Sequence, residues 1–284
     1  MSNKIKIFSD STCDLPKEVI EKFDITILPL YVVMDEKSYK DGIETSCEEL
    51  FAYSDRTKQT PKTAAASVAD FEDLFRPYVA QGYDIIYIGI SSGLSSTVQN
   101  ATIAAEEFPD AKIFAYDSLN LSTGIGLQVM RACELRDKGL SAEEIIKELE
   151  AIRPKVRSSF VIDVMTYLHR GGRCSTLQAV GAAMLNLKPQ IVVEDGKMRS
   201  AKKFRGNIIK SAVAYVNDTL QNIERIDDQR IFITYSLSDE ALVNAVKKEV
   251  ESKGYFKEIL CSNAGSVISS HCGPNCLGIL FIEK

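Results

Sequence analysis

Hydrophobic and polar positions divide sharply at residues 85–97, where an apolar run gives way to a polar loop. Residues 85–90 are almost wholly apolar, and hydroxyl and glycine residues follow until a helical pattern begins near Thr97. This order predicts a strand, a loop and a helix. Ligands of parallel sheets bind beyond the carboxyl ends of the strands, and N–H groups at a helix N-terminus attract anions. We therefore expect the polar end of a ligand at this loop.

Strands and helices alternate over the first half of the chain. Apolar runs at 5–9, 25–33, 85–90 and 112–116 predict strands, and amphipathic stretches between them predict helices. Alternation of this kind makes right-handed βαβ units and a mostly parallel sheet that helices cover on both faces. We assign residues 1–157 to this first domain.

Capping residues mark several of the predicted helix starts. Asp14 is expected to cap the helix that follows Pro16. Three further starts have the spacing of a capping box: Ser46 with Glu49, Ser96 with Gln99, and Ser141 with Glu144.

The pattern changes near residue 154, and residues 158–284 form a second α/β unit. Asp195-Gly196 separates two strand-like segments and predicts a β-hairpin. Strands and helices follow it to the end of the chain. The predicted fold is therefore two α/β domains, the first with a mostly parallel sheet flanked by helices and the second with a mixed sheet.

Composition narrows the class of protein. Hydrophobic residues make up 45% and charged residues 26%, as in an ordinary globular protein. We expect a cytoplasmic protein, because no signal segment or membrane-spanning run is apparent and seven scattered cysteines suit a reducing compartment. The net charge of -5 argues against general nucleic-acid binding.

The same loop also contains a motif typical of serine hydrolases, which is the alternative function. Gly89-Ile90-Ser91-Ser92-Gly93 matches the G-x-S-x-G nucleophile elbow between a strand and a helix. His271 lies late in the chain, as the order of such a triad requires, and three residues could orient it: Asp163, Asp195 or Asp239. Against this alternative, no His-Gly-Gly segment follows an early strand to form an oxyanion hole. Binding of some other small anion is a third possibility.

Two further groups of residues carry candidate chemistry. Cys272 and Cys276 follow His271, but they lack the spacing and the second ligand pair of a zinc site, so we expect no metal. Arg170 and Arg173 flank two glycines and could offer guanidinium groups to a phosphate or an acidic partner.

Six segments, in order, give the chain a resemblance to the DegV family of bacterial fatty-acid-binding proteins. Together they cover essentially the whole chain: 10–16, the connector around Thr63, 90–97, 167–173, 185–189 and 271–274. The resemblance implies a two-domain protein that buries one long-chain fatty acid, such as palmitate, between its domains, without another cofactor. It places the carboxylate at Thr63, Ser95 and His271, with Ser92 and Ser96 as less certain neighbours.

The resemblance also implies a role in lipid transport or fatty-acid metabolism. Family members that act with a fatty-acid kinase present the bound acid for phosphorylation, and Arg170, Arg173 and Arg205 would then belong to the docking or phosphoryl-transfer surface. The chain departs from the usual family pattern in the connector at 64–66, at Ser96 and at Cys272. These departures could alter the preferred acyl chain.

Elementary energetics agree with such a ligand. Burial of about 14 methylenes contributes up to ~11 kcal/mol before association entropy is subtracted. The carboxylate must be hydrogen-bonded to avoid a desolvation penalty, and hydroxyls, a helix N-terminus and a protonated imidazole would serve. Candidate walls for the acyl tail are small or apolar: Ala182, Ala183, Met184, Leu185 and Leu187.

Overall fold

The computed structural model describes residues 4–174 and 187–284. Its strands are β1 (Ile5–Asp10), β2 (Thr26–Leu28), β3 (Tyr31–Met34), β4 (Lys37–Lys40), β5 (Lys62–Ala64), β6 (Asp84–Gly89), β7 (Ile113–Asp117), β8 (Val156–Val161), β9 (Leu187–Glu194), β10 (Lys197–Arg205), β11 (Ile226–Tyr235), β12 (Glu258–Asn263) and β13 (Leu277–Glu283). Its α-helices are α1 (Lys17–Lys22), α2 (Cys47–Thr57), α3 (Val68–Val79), α4 (Thr97–Glu106), α5 (Thr123–Asp137), α6 (Ala142–Ile152), α7 (Met165–Gly171), α8 (Ile208–Thr219), α9 (Glu240–Glu251) and α10 (Ser266–Cys272).

The first sheet is parallel throughout, with the strand order β2-β1-β6-β7. All six residues of β6 are buried, as its continuous apolar run predicts. The connections from β1 lead to one side and those from β6 to the other, so the carboxyl ends of these two strands border a switch point where ligands commonly bind. The loop at 90–96 begins at this edge.

A small antiparallel sheet, β4-β3-β5, lies beside the parallel one. The single strand predicted over 25–33 was wrong, because β2 and β3 belong to different sheets. Pro29 lies between them and has no N–H to donate to a ladder. The connector after α2 contains β5, in which Thr63 pairs with Val32 of β3.

The third sheet is mixed, in the order β10-β9-β8-β13-β11-β12. Only β11 and β12 pair in parallel among its described strands. The predicted hairpin joins β9 and β10, and its turn residues Asp195 and Gly196 both have positive φ, of 48° and 73°. That geometry is typical of a type I′ turn, which the Asp-Gly pair favours. The sheet begins at Val156, within two residues of the expected domain boundary.

Helix α5 connects the two large sheets by packing against both. It contacts β1 and β6 on one side and β8 and β13 on the other. Eleven of its 15 residues are buried, as expected of a helix covered on all sides. The apolar core is therefore continuous across the junction. No helix in the described parts of the chain is long and apolar enough to cross a bilayer.

The helix caps agree only in part with the sequence predictions. The capping boxes at Ser46 and Ser141 are confirmed. The box at Ser96 was wrong, because its φ and ψ of -79° and 4° lie outside the extended conformation that a capping serine needs. The cap at Asp14 was also wrong, since α1 begins after Pro16 and the Asp14 carboxylate binds elsewhere.

Candidate functional site

A cavity of about 240 Å³ lies beside the loop at 90–96. Its walls come from β5, from this loop, from the loop after β7 and from α10. Most lining residues are apolar, among them Ile90, Leu94, Met198, Val267 and Ile268. The polar lining residues are Thr63, Ser95, Ser96, Arg173 and His271. The structure thus brings together three residues that the sequence assigned to a carboxylate, with Ser96 and Arg173 beside them.

Thr63 and His271 meet although they are 208 residues apart in sequence. The Thr63 hydroxyl lies 2.9 Å from His271 Nε2. Thr63 is held in place by the pairing of β5 with β3, and α10 carries His271 against both strands. The contact therefore depends on the packing of α10, a helix of the second α/β unit, against the small sheet.

His271 is neutral at pH 7. Burial of the ring, with a smaller effect of the nearby positive charge of Arg173, lowers the pKa of His271 from 6.5 to about 4. The protonated imidazole expected from the sequence is therefore wrong. Nδ1 is buried without a hydrogen-bond partner. At a buried atom without a partner, an unused lone pair costs less free energy than an unpaired N–H group. We therefore place the proton of the neutral ring on Nε2 and leave Nδ1 unprotonated.

This tautomer determines what Thr63 can do. The Nε2–H group donates to the Thr63 hydroxyl oxygen. The proton of the Thr63 hydroxyl is then free to donate to an anion in the cavity.

Ser95 is held in a similar way at the start of α4. Its hydroxyl oxygen lies 2.7 Å from the hydroxyl of Thr97 and accepts a long bond from the Thr97 N–H at 3.4 Å. When the buried Thr97 hydroxyl donates to Ser95, the proton of Ser95 can donate to a ligand. Ser96, the N-cap residue, makes no side-chain cap bond and lines the same cavity. The N-terminus of α4 adds a favourable potential for an anion.

The hydroxyl of Ser91, the candidate nucleophile, is hydrogen-bonded to the backbone. Ser91 is fully buried, and its hydroxyl donates to the carbonyl of Gly196 at 2.8 Å and accepts from the N–H of Gly93. Its oxygen thereby ties the loop at 90–96 to the tip of the β9–β10 hairpin. His271 contacts Thr63 instead, and its Nδ1 has no orienting carboxylate. This is not the arrangement of a serine nucleophile with its base.

Ser92 is exposed and is not among the residues that line the cavity. Its backbone N–H donates to the carboxylate of Asp117. Arg173 is exposed on the cavity wall, where it bonds the carbonyl of Gly171. Arg170 donates to the carbonyl of Lys58 and the hydroxyl of Thr60.

Arg205 lies apart from the cavity-lining end of its strand. It is the last residue of β10, eight positions beyond Lys197, which lies beside Gly93. A strand of that length extends about 25 Å. The hairpin thus brings Met198, and not Arg205, to the cavity.

A smaller pocket of about 30 Å³ adjoins the cavity on the side of the second α/β unit, and we call it the inner pocket. The two spaces share Leu121, Ile268 and Cys272 as lining residues, and the inner pocket ends against Phe160 and Leu280. Sequence reasoning missed these residues, although 268, 271 and 272 have the spacing of one helix face. The wall candidates at 182–185 lie outside the described residues, and Leu187 begins β9.

Gly171 allows α7 to approach His271 closely. A Cβ atom at this glycine would overlap Nδ1 of the ring. We expect Gly171→Ala to displace His271 from Thr63 and to weaken ligand retention by about tenfold, since one hydrogen bond near a charge is lost. Isothermal titration with an alkyl carboxylate measures this change. Unchanged affinity would show that the ring position is not needed for binding.

Among residues 4–174 and 187–284, no group of three or more His, Cys, Asp or Glu side chains is arranged to hold a metal ion. All seven cysteines are free thiols. The groups that converge on the cavity are hydroxyls, a neutral imidazole and a guanidinium, which are donors suited to an organic anion.

The fold and the cavity define an α/β protein with a mostly apolar site beside the carboxyl ends of a parallel sheet. The sequence model described as "Uncharacterised protein, DegV family" matches residues 4–284. A DegV domain-containing protein of Clostridium acetobutylicum is 35% identical over 99% of both chains. The chain belongs to the DegV family.

Solved structures of relatives show the same fold. A DegV family protein of Thermus thermophilus, for which fatty acid binding is described, superposes with a TM-score of 0.90 at 31% identity, covering 99% of this chain and 100% of that one. The Bacillus subtilis fatty acid binding protein DegV gives 0.87 at 27% identity, with 100% of both chains covered. A stearic acid-binding protein of Eubacterium ventriosum gives 0.84 at 28%, covering 99% and 98%.

Proposed function

We propose that this protein binds one long-chain fatty acid, such as palmitate, as a non-catalytic carrier. One observation carries the proposal: two hydroxyls, of Thr63 and Ser95, lie on the wall of one mostly apolar cavity. Each is hydrogen-bonded to a neighbour that can donate to it, which leaves its own proton for an acceptor. A carboxylate attached to an alkyl chain matches both features. The fatty-acid ligands described for the related proteins support the same ligand class.

The head group would lie between β5 and the start of α4. Thr63 and Ser95 donate to its oxygens, and His271 acts indirectly by orienting Thr63. Ser96 and Arg173 lie on the same wall, and Arg173 supplies a positive charge at the exposed side. These contacts replace the water that a carboxylate loses on entry, so they determine orientation and prevent a desolvation penalty.

The alkyl tail would run along Leu94, Ile268 and Leu121 toward the inner pocket. Each buried methylene contributes about 0.8 kcal/mol, so the tail supplies most of the affinity. The exposed position of Arg173 leaves the carboxylate end nearest to solvent.

This orientation suits presentation of the acid to a kinase. We assign Arg170 and Arg173 to the surface that such a partner would contact, because both are exposed: Arg173 lines the cavity, and Arg170 binds Lys58 and Thr60 in the connector that leads to Thr63. Arg205 lies farther along β10 and would contact only a partner that extends over the hairpin. Seven free thiols support a place of action in the reducing cytoplasm.

Mass spectrometry under denaturing conditions tests the ligand. Protein purified from bacteria should release a long-chain fatty acid in a molar ratio near one. After delipidation it should bind added palmitate again. Absence of both co-purified acid and uptake would contradict the proposal.

A fluorophosphonate probe tests the hydrolase alternative. We expect no covalent labelling of Ser91, because its hydroxyl is buried and donates to Gly196. Intact-mass analysis, with a known serine hydrolase as positive control, measures the labelled fraction. Stoichiometric labelling at Ser91 would contradict the carrier proposal and favour a serine hydrolase.

A further inference from the structure

The cavity and the inner pocket adjoin at three residues that line both spaces. Leu121 lines both spaces on one side, and Ile268 and Cys272 of α10 line both on the other. We call these three residues the throat. A ligand chain that starts at Thr63 and Ser95 and reaches the inner pocket must pass between them.

One side chain joins the two sides of the throat. The Asp14 carboxylate accepts a bond from the Ser122 hydroxyl at 2.5 Å and from the Gly265 N–H at 2.8 Å. Ser122 directly follows Leu121, and Gly265 is the N-cap residue of α10, three positions before Ile268. Asp14 is 6% exposed and lies in the loop after β1. A residue of the loop after β1 thus holds both walls.

The loop that carries Leu121 has an unfavourable backbone conformation. Ser122 has φ and ψ of 53° and -145°, and Leu119 has a φ of 49°. Side chains disfavour these regions, and such residues persist where the surroundings restrain them. The bond from Ser122 to Asp14 supplies one restraint at the residue next to the throat.

We infer that Asp14 is a positioning residue that fixes the throat through Ser122 and Gly265, and thereby determines how far an acyl chain extends into the protein. The carboxylate suits this role because both neighbours are donors and each of its oxygens accepts one bond. Loss of either bond frees one wall from the other. The tail beyond the throat then loses steady contact, while the head group keeps Thr63 and Ser95.

Two variants perturb the connection between the walls from opposite ends. Ser122→Ala removes the bond on the Leu121 side. Gly265→Ala keeps the N–H donor but puts a methyl group 3.0 Å from the Asp41 carboxylate and 3.4 Å from that of Asp14, so that the start of α10 must shift relative to both. Because each variant alters a different segment, folding of either one suffices for the test.

The measurement is the dissociation constant of the full-length delipidated protein for octanoate and for palmitate. In both variants we expect the constant for palmitate to rise by about tenfold and that for octanoate to change by less than about twofold. Ser270→Ala is the matched control, since its hydroxyl is equally buried but bonds only within α10, to the carbonyl of Ser266. It should leave the ratio of the two constants unchanged.

The inference rests on the proposed function, and the two can fail separately. If wild-type protein binds neither acid, the proposed function fails. If wild-type protein binds palmitate but both acids weaken equally in the variants, or palmitate binding is unchanged or tighter, the role of Asp14 is overturned. A change in the ratio with Ser270→Ala would likewise overturn it.

Discussion

Combined replacement of Thr63 by valine and Ser95 by alanine is expected to weaken palmitate binding by at least about 100-fold, because a hydrogen bond to a charged group contributes about 1.5–3 kcal/mol. Both hydroxyls line the cavity, and each can donate to a ligand when its neighbour, His271 Nε2–H or the Thr97 hydroxyl, donates to it. Without them a carboxylate would enter the same space with its oxygens unpaired. The apolar walls are untouched, so residual binding should retain its dependence on chain length.

The same site offers close controls for this variant. Ser92 lies three residues from Ser95 but is exposed and does not line the cavity. The Ser92→Ala variant should therefore bind palmitate like the wild type. Thr63→Ser keeps the hydroxyl that His271 orients and should restore most of the affinity lost in Thr63→Val. Titration calorimetry with palmitate gives all of these values. Wild-type affinity in the double variant would remove both residues from the head-group site.

Local patterns predicted the elements where sequence periodicity and burial agree. The strand at β6 and the β9–β10 hairpin are such cases, since a fully apolar run and an Asp-Gly turn allow few alternatives. The split between β2 and β3 was missed, because apolar residues on both sides of Pro29 read as one strand. The two strands differ in the strands that they pair with: β2 pairs with β1, and β3 pairs with β4 and β5. Hydrophobic periodicity indicates a strand but does not indicate its pairing partner.

The site itself was predictable only as separate pieces. The resemblance named Thr63, Ser95 and His271, but their chain separation gives no indication of which atoms meet. The neutral state of His271 depends on burial by α7 and β5, which no local pattern shows. Ser91 illustrates the reverse error, since its motif suggests a nucleophile while the folded chain directs its hydroxyl to a backbone carbonyl.

Asp14 shows why a capping signal can mislead. Its position before Pro16 is typical of an N-cap, yet its φ is 49° and its carboxylate accepts from Ser122 and from Gly265 at the start of α10. Together with Asp10 and Asp41 it forms a buried acidic group, and burial raises the pKa of all three carboxyls. These groups bind protons more tightly in the folded state. Their contribution to stability therefore increases as the pH falls.

His271 has the opposite dependence on pH. Its pKa is about 4 in the folded protein against 6.5 for a free side chain, so the unfolded chain takes up a proton first. The stability that it contributes is present above pH 6.5 and is lost as the pH falls toward 4. Between pH 7.5 and pH 5 the loss amounts to about 2 kcal/mol. Burial is the main cause of the shift, so the effect should not require bound ligand.

Urea unfolding of delipidated protein at pH 7.5 and pH 5 isolates this contribution when wild type is compared with His271→Gln. Glutamine can still donate to Thr63 but does not titrate, so the pH-dependent effects of Asp10, Asp14 and Asp41 cancel in the comparison. We expect the wild type to lose about 2 kcal/mol relative to the variant between the two pH values. His169→Gln, which replaces the exposed histidine, should follow the wild type. Equal losses in wild type and His271→Gln would mean that folding does not lower the pKa of His271, and would contradict the neutral ring that donates from Nε2 to Thr63.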